Sequence, residues 1–135
     1  MKAILIDQPG DEDCMKLGET ASPELGPGTI RIRNFASGIN RADLLQRQGF
    51  YPPPAGASAI LGLECAGVVS EVAAGVQRFS PGDRVMALLS GGGYAEDVVV
   101  DAGSVIRLPD ALSFEEGAGL TETLLTVFLL SLIHI

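Results

Sequence analysis

Short apolar runs separated by turn-forming residues fill most of the chain, and this pattern is typical of strands in an antiparallel sheet or a partly open barrel. Ile30 and Ile32 alternate with Arg31 and Arg33, as expected of a strand with one buried face. Runs of this kind predict strands at residues 3–7, 15–20, 29–36, 68–72, 84–89, 95–100 and 105–108. The chain is therefore predicted to be mainly β.

Two helices are predicted from their capping residues. Asn40 is a favourable N-cap, and Asp43 lies three residues later in the first turn. Ser113 and Glu116 have the spacing of a capping box, which predicts a second helix beginning there. The β-rich domain is therefore expected to end near residue 112.

Composition and charge narrow the class of partner. The chain has 135 residues, of which 47% are hydrophobic and 19% charged, a composition typical of one folded domain. Its 17 acidic side chains outnumber the 9 basic ones, and the formal net charge is −8. Binding to nucleic acid or to an anionic membrane needs clustered basic residues, and the arginines here are scattered. Neither partner is expected.

The two cysteines, Cys14 and Cys65, are far apart and form no C-x-x-C pair. This spacing predicts neither a structural zinc site nor a disulfide framework, a single bridge between the two being the alternative. The first apolar run of the chain is too short for the core of a secretory signal peptide. A reducing, cytoplasmic setting is therefore expected.

The end of the chain is its most apolar part. Residues 124–135 are too few to span a bilayer as a helix, which needs roughly 20 residues. Residues 130–135 match the translation of a transposase adapter used in preparing sequencing libraries, with the codons CTG-TCT-CTT-ATA-CAC-ATC. We therefore expect this segment to be an artefact, the native sequence to depart from it after about Leu129, and His134 to have no functional role.

Glu64 is unusual because it is an acid within a run of apolar and small residues. An unpaired charge there would be costly, so the carboxyl group must be hydrogen-bonded, ion-paired or protonated. It is expected either to serve a functional site or to hold backbone amides or an arginine, such as Arg41 or Arg47. The residues favour the structural role.

Four local patterns occur in a fixed order along the chain. Together they resemble the N-terminal, GroES-like domain of the zinc-free quinone oxidoreductases in the medium-chain dehydrogenase/reductase superfamily. Residues 40–49 resemble in particular the p53-inducible quinone oxidoreductase type. The four patterns are Gly38-Ile39-Asn40-Arg41-Ala42-Asp43, Gly49-Phe50-Tyr51-Pro52-Pro53-Pro54, Gly62-Leu63-Glu64-Cys65-Ala66-Gly67-Val68-Val69 and Pro81-Gly82-Asp83-Arg84-Val85.

The third pattern bears on zinc. It resembles the Gly-His-Glu-x-x-Gly signature of the superfamily, but Leu63 stands where the zinc-dependent members have a histidine ligand. A leucine side chain has no lone pair to offer Zn²⁺. The resemblance therefore implies an oxidoreductase that uses NADPH and no metal.

The resemblance also implies a reaction, the NADPH-dependent reduction of quinones. The substrate would lie between this GroES-like, partly open β-barrel and a Rossmann domain, whose G-x-G-x-x-G loop is missing from this sequence. We expect residues 1–112 to form the substrate-side domain, residues 113–129 to lead towards the missing domain, the fragment to be inactive alone and the complete protein to be a homodimer. The alternatives are a zinc-free enoyl reductase and a non-catalytic, stand-alone GroES-like binding or assembly module.

The implied catalytic residues are Asn40 and Tyr51. Asn40 stands where zinc-dependent relatives have a cysteine ligand, and its amide is expected near the nicotinamide, its other role being the helix N-cap. Tyr51 and Pro52 are expected to line the quinone cleft, where a phenol stacks on a flat ring and donates a hydrogen bond to a carbonyl oxygen. The alternative for Tyr51 is packing on its own proline run.

The remaining implied residues have supporting roles. Thr123 and Thr126 resemble a segment that passes beside the nicotinamide, although both also suit ordinary helix positions. Asp43 and Arg47 are expected close to the site together with Glu64, with Asp43 paired to Arg47 one helical turn later.

Overall fold

The computed structural model describes residues 1–133, so His134 and the last position of the predicted artefact segment lie outside the described residues. Ten strands and α-helices are present in the described part, together with two short turns of 3-10 helix at Glu12–Cys14 and Ala102–Ser104. The elements are β1 (Lys2–Ile6), β2 (Met15–Glu19), β3 (Thr29–Ser37), α1 (Arg41–Arg47), β4 (Glu64–Val72), β5 (Arg84–Leu88), β6 (Asp97–Asp101), β7 (Val105–Arg107), α2 (Phe114–Ala118) and α3 (Thr121–Ile133).

The strands form two open antiparallel sheets. Five strands pair in the order β6-β3-β4-β5-β7, and β1 pairs with β2 in a separate hairpin. A single bridge between Ala3 and Ala95 joins β1 to the segment before β6. The mainly β, partly open architecture predicted from the apolar pattern is confirmed.

Most strand bounds fall within two residues of the prediction, but β4 begins at Glu64, four residues before the predicted start. Glu64 and Cys65 pair with Leu88 and Ala87 of β5, which extends the ladder. The prediction was wrong here because a buried acid and small residues do not resemble a strand in sequence.

The central strand β4 is buried on both faces. Cys65 and Val69 pack into the main core beside Ile30 and Ile32 of β3. Ala66, on the opposite face, packs with a second cluster made by Met86, Leu108 and Ala118. The helix α2 thus covers one face of the sheet, and this explains why β4 lacks the alternation of polar and apolar residues.

The predicted helix from residue 113 is divided in two. Ser113 caps α2 as expected, but α2 ends at Ala118 with Gly119 as its C-cap, and α3 begins at Thr121. Apolar side chains are exposed along α3, among them Phe128 at 59% and Leu129 at 60%. No helix in residues 1–133 is both long and apolar enough to cross a membrane.

Candidate functional site

Asn40 lies between the end of β3 and the first residue of α1. It is the N-cap of α1, and its backbone N–H donates to Asp43 Oδ2 at 2.8 Å. Its side-chain amide also contacts β4, because Nδ2 donates to Glu64 Oε1 at 2.9 Å. Asn40 is thus the helix N-cap, as one of its two expected roles requires, and its side chain contacts a buried carboxylate. Its expected place near the nicotinamide stays a prediction.

Asp43 is 2% exposed and accepts three hydrogen bonds. Besides the N–H of Asn40, its carboxylate accepts the N–H of Gly62 at 3.1 Å and the hydroxyl of Tyr94 at 3.1 Å. Three donors offset the cost of burying the charge. The prediction that Asp43 pairs with Arg47 is wrong, since Arg47 Nη1 lies 3.9 Å from Glu12 Oε2 instead. Local spacing suggested that pair, whereas Asp43 points into the domain.

Glu64 is also 2% exposed, and its two oxygens have different partners. Oε1 accepts Asn40 Nδ2, and Oε2 accepts the backbone N–H of Glu122 in the first turn of α3, each at 2.9 Å. An anion at a helix N-terminus is favoured by the unpaired N–H groups and the helix dipole. The carboxylate therefore holds a backbone amide, as one of the expected alternatives proposed, and neither candidate arginine is its partner.

Gly38 makes room for this carboxylate. A Cβ atom at this position would overlap Glu64 Oε1 and lie 2.7 Å from the carbonyl oxygen of Ala118. Any larger residue must displace either the buried acid or the end of α2. The glycine of the first sequence pattern is thus explained by close approach rather than by a turn.

Tyr94 belongs to the same network, although no pattern in the sequence predicts this. Its pKa is raised above the ordinary value by burial, and further by the charge of Asp43, the hydrogen bond to Asp43 and the charge of Glu64. The phenol therefore stays protonated and acts as a donor. Only the preceding Gly91-Gly92-Gly93 run marks this segment as a corner, and nothing in the sequence indicates that it returns to α1.

Cys65 follows Glu64 in β4 and is fully buried. Burial raises the pKa of the Cys65 thiol to about 12, and the nearby charge of Glu64 contributes in the same direction. Cys65 and Cys14 are both free thiols, so the alternative of a bridge between them is not adopted. Cys65 is a small core residue here rather than a nucleophile.

Four of the expected site residues lie on the surface. Tyr51 is 45% exposed, and Pro52 beside it is exposed as well. Thr123 and Thr126 are exposed on α3. Within residues 1–133, none of the four side chains hydrogen-bonds to the network around Asn40. The structure thus brings together Asn40, Asp43 and Glu64, and it leaves Tyr51, Pro52, Thr123 and Thr126 exposed.

An open groove with a volume of about 490 Å³ lies beside this network. It adjoins Asn40 through Ile39, which is 78% exposed, and Tyr94 lies on its wall. Leu17 and Phe35, which are 71% and 56% exposed, also line it. Polar side chains line the groove as well, among them Lys2, Asn34 and Glu96, so it presents both apolar and polar groups.

The residues at the implied zinc positions do not suit the metal. Leu63 has no donor atom, and the amide nitrogen of Asn40 is already hydrogen-bonded to Glu64. Among the residues that the structure describes, no three His, Cys, Asp or Glu side chains are grouped as metal ligands are.

Comparison with known families agrees with the fold and with the sequence patterns. Residues 26–110 match the model of the family described as "Alcohol dehydrogenase GroES-like domain". The chain therefore belongs to this family. The resemblance to the N-terminal domain of medium-chain quinone oxidoreductases is confirmed as well, since quinone oxidoreductases are among its relatives.

Two curated relatives show the range of proteins that contain this domain. The chain is 46% identical over 123 residues to the pikromycin polyketide synthase component PikAII of Streptomyces venezuelae, covering 90% of this chain and 3% of that protein. It is 41% identical over 122 residues to a quinone oxidoreductase of Salmonella typhimurium, covering 90% of this chain and 37% of that protein. The chain thus spans only a part of either relative.

Two solved structures are similar to the fold described above. The quinone oxidoreductase of Escherichia coli complexed with NADPH has a TM-score of 0.77 and 33% identity, over 87% of this chain and 36% of that one. The CurK enoyl reductase has a TM-score of 0.84 and 27% identity, over 93% of this chain and 40% of that one. Three of these four proteins are named as oxidoreductases or reductases.

Proposed function

We infer that the chain is the substrate-side domain of an NADPH-dependent quinone reductase that works without zinc. The observation that carries this proposal is the placement of Asn40, whose amide is held by the buried Glu64 carboxylate and whose neighbour Ile39 lines an open groove. Similarity to the Salmonella quinone oxidoreductase and to the NADPH complex from Escherichia coli supports it.

The proposed reaction depends more on positioning the quinone than on activating it. A quinone is already electrophilic and gains aromaticity on reduction, so orientation in a dry cleft and one or two hydrogen-bond donors suffice. NADPH, when bound, supplies the hydride. The chain would hold it through Asn40 and the exposed hydroxyls of Thr123 and Thr126.

Two side chains would act on the quinone. Nδ2 of Asn40 has a second hydrogen besides the one donated to Glu64, and it can donate this to a carbonyl oxygen. The exposed phenol of Tyr51 can stack on the ring, with Pro52 beside it, and donate a further hydrogen bond. Both donors stabilise the negative charge that develops on the oxygen during reduction.

We propose the same domain organisation as the sequence predicts. Residues 1–112 form the substrate-side domain, residues 113–129 lead to a Rossmann domain, and residues 130–135 are not native. Resequencing the gene across the codon for Leu129 tests this. A reading frame that continues into a strand, a glycine-rich loop and a helix supports the proposal, and a genuine stop codon after Ile135 contradicts it.

A second candidate is a zinc-free enoyl reductase, which reduces an α,β-unsaturated thioester. Two observations favour it: the TM-score of 0.84 with the CurK enoyl reductase, and the 46% identity to a polyketide synthase component. The two activities share the cofactor and differ in substrate. Turnover therefore separates them, whereas binding of NADPH does not.

The deciding experiment follows the loss of NADPH absorbance with para-benzoquinone, with crotonyl-CoA and with no acceptor. It uses the protein encoded by the complete reading frame, with the present chain assayed in parallel. Quinone-dependent oxidation that Asn40→Ala lowers, while the surface variant Gln77→Ala does not, supports the proposal. Turnover of crotonyl-CoA alone selects the enoyl reductase. No turnover of either acceptor contradicts both enzymes and favours a binding or assembly module.

A further inference from the structure

The carboxylate of Glu64 connects two parts of the molecule that the proposed function places on different sides of the site. One oxygen accepts Asn40 Nδ2, on the side assigned to substrate. The other accepts the N–H of Glu122 at the start of α3, the helix that carries the candidate nicotinamide residues. The donors lie 24 and 58 residues from Glu64 in sequence, so this connection exists only in the folded domain.

The chemistry of this position requires an acid. Both groups that face Glu64 are N–H donors, and only a carboxylate offers acceptors on both of its oxygens. A glutamine of the same size would place its own NH₂ group against one of the two donors. The side chain is 2% exposed, so water cannot substitute for the lost acceptor.

The same contact selects the orientation of the Asn40 amide. With the opposite orientation, Oδ1 of Asn40 would face the Glu64 carboxylate, and two acceptors would repel each other. The nitrogen therefore faces the carboxylate, which leaves one amide hydrogen for another partner. Gly38 maintains this arrangement because it leaves space for Oε1 where a Cβ atom would overlap it.

We propose that Glu64 is a positioning residue, which fixes the Asn40 amide in one orientation and holds the start of α3 in register with it. The role of Asn40 in this proposal rests on the proposed function. The contacts that Glu64 makes with Asn40 and Glu122 can nevertheless be tested without any substrate.

The test is hydrogen exchange by NMR on the isotope-labelled chain without NADPH or quinone. In the wild type, the side-chain amide of Asn40 and the backbone amide of Glu122 both exchange slowly. In Glu64→Gln, at least one of them exchanges about tenfold faster or more, since one acceptor is lost. The control Glu71→Gln, on the exposed end of the same strand, changes neither. Unchanged exchange at both positions in Glu64→Gln overturns the proposal.

A second variant leaves all the hydrogen-bonding groups in place. Gly38→Ala displaces the Glu64 carboxylate and is expected to speed exchange at Asn40, whereas Gly26→Ala, with nothing within 4 Å of the added carbon, is not. This variant decides the question if Glu64→Gln does not fold. Equal exchange at Asn40 in the two alanine variants and the wild type counts against the proposal.

A kinetic measurement then distinguishes positioning from a purely structural role. In a reductase that contains this chain, Glu64→Gln lowers kcat/KM for quinone by roughly 10- to 100-fold. In the double variant with Asn40→Ala the loss is smaller than the product of the two single losses, since the part that acts through Asn40 is already absent and only the contact with Glu122 is left to lose. Losses that multiply independently overturn the proposal. If the wild type has no quinone activity while the exchange results hold, the proposed function fails and the positioning contact stands.

Discussion

The hydroxyl of Tyr94 donates to Asp43 Oδ2 across 3.1 Å, joining two residues 51 positions apart in sequence. The backbone N–H of Tyr94 also donates to the carbonyl of Leu61, and the next residue, Gly62, donates its N–H to Asp43 Oδ1. Three segments therefore meet at one carboxylate: the start of α1, the loop before β4 and the corner after the glycine run.

Removing the Tyr94 hydroxyl is expected to weaken this junction. Tyr94→Phe keeps the ring and deletes one of the three donors to Asp43, so the free energy of unfolding should fall by about 0.5–1.5 kcal/mol. Denaturant-induced unfolding measures this. The exposed Tyr51 provides the matched control, and Tyr51→Phe should change stability by less than about 0.5 kcal/mol. Equal effects at the two tyrosines would contradict the assigned contact.

The same tyrosine gives stability a particular pH dependence. Burial, together with the Asp43 charge and hydrogen bond, raises the pKa of Tyr94 above the ordinary value of 10.0. The folded state therefore binds the phenolic proton more tightly than the unfolded chain does. The resulting contribution to the free energy of unfolding is constant at pH values below the ordinary tyrosine pKa and is lost as the pH rises above it. Unfolding curves should show a decline with pH that is shallower in Tyr94→Phe. The same slope in both proteins contradicts the prediction.

Gly38→Ala is expected to destabilise the domain by about 1–3 kcal/mol, because the added Cβ overlaps the Glu64 carboxylate and crowds the Ala118 carbonyl. Thermal unfolding of this variant should be compared with that of Gly26→Ala, which introduces the same methyl group into open space. A melting temperature for Gly38→Ala equal to that of the control would show that Glu64 does not occupy this space.

The two cysteines should differ sharply in reactivity. Cys65 is fully buried, and burial with the adjacent Glu64 charge raises the pKa of its thiol to about 12, whereas Cys14 is only partly buried. Since the thiolate is the reactive form, iodoacetamide in mildly alkaline buffer should alkylate Cys14 and leave Cys65 unmodified until the protein is unfolded. Mass spectrometry of the digested protein reads out both sites, and labelling of Cys65 at the rate of Cys14 in the native protein would refute its burial.

Ser113 is expected to stabilise α2 by capping it. Its hydroxyl accepts the N–H of Glu116 at 3.1 Å, while the Glu116 carboxylate accepts the N–H of Ser113 at 2.8 Å. Ser113→Ala should therefore lower the free energy of unfolding by about 1 kcal/mol, and Ser113→Asp should retain most of it. Equal stability of the alanine and aspartate variants is the result that would contradict the cap.

Local patterns predicted the features that depend on neighbouring residues. The alternation around Ile30 and Ile32 predicted β3, and the spacing of Ser113 and Glu116 predicted the start of α2. The need of buried Glu64 for partners was also foreseeable, because an acid in an apolar run must have its charge satisfied.

The identity of those partners was not foreseeable, because it depends on tertiary structure. Asp43 was expected to pair with Arg47 one turn away, but its partners Gly62 and Tyr94 come from distant loops. Glu64 accepts a hydrogen bond from the backbone N–H of Glu122. Because almost every residue has a backbone N–H, the sequence does not indicate which one will be the donor. The role of Tyr94 was missed because its hydroxyl contacts a residue 51 positions away in sequence.

The Tyr94–Asp43 contact also gives the chain a spectroscopic reporter. The sequence contains no tryptophan and two tyrosines, of which Tyr51 is exposed to water. Tyrosine emission is quenched when the hydroxyl donates to a carboxylate, so we expect Tyr94 to contribute the weaker component of the intrinsic fluorescence. Intrinsic tyrosine fluorescence can therefore follow the folding of the segments that meet at Asp43, without an added label.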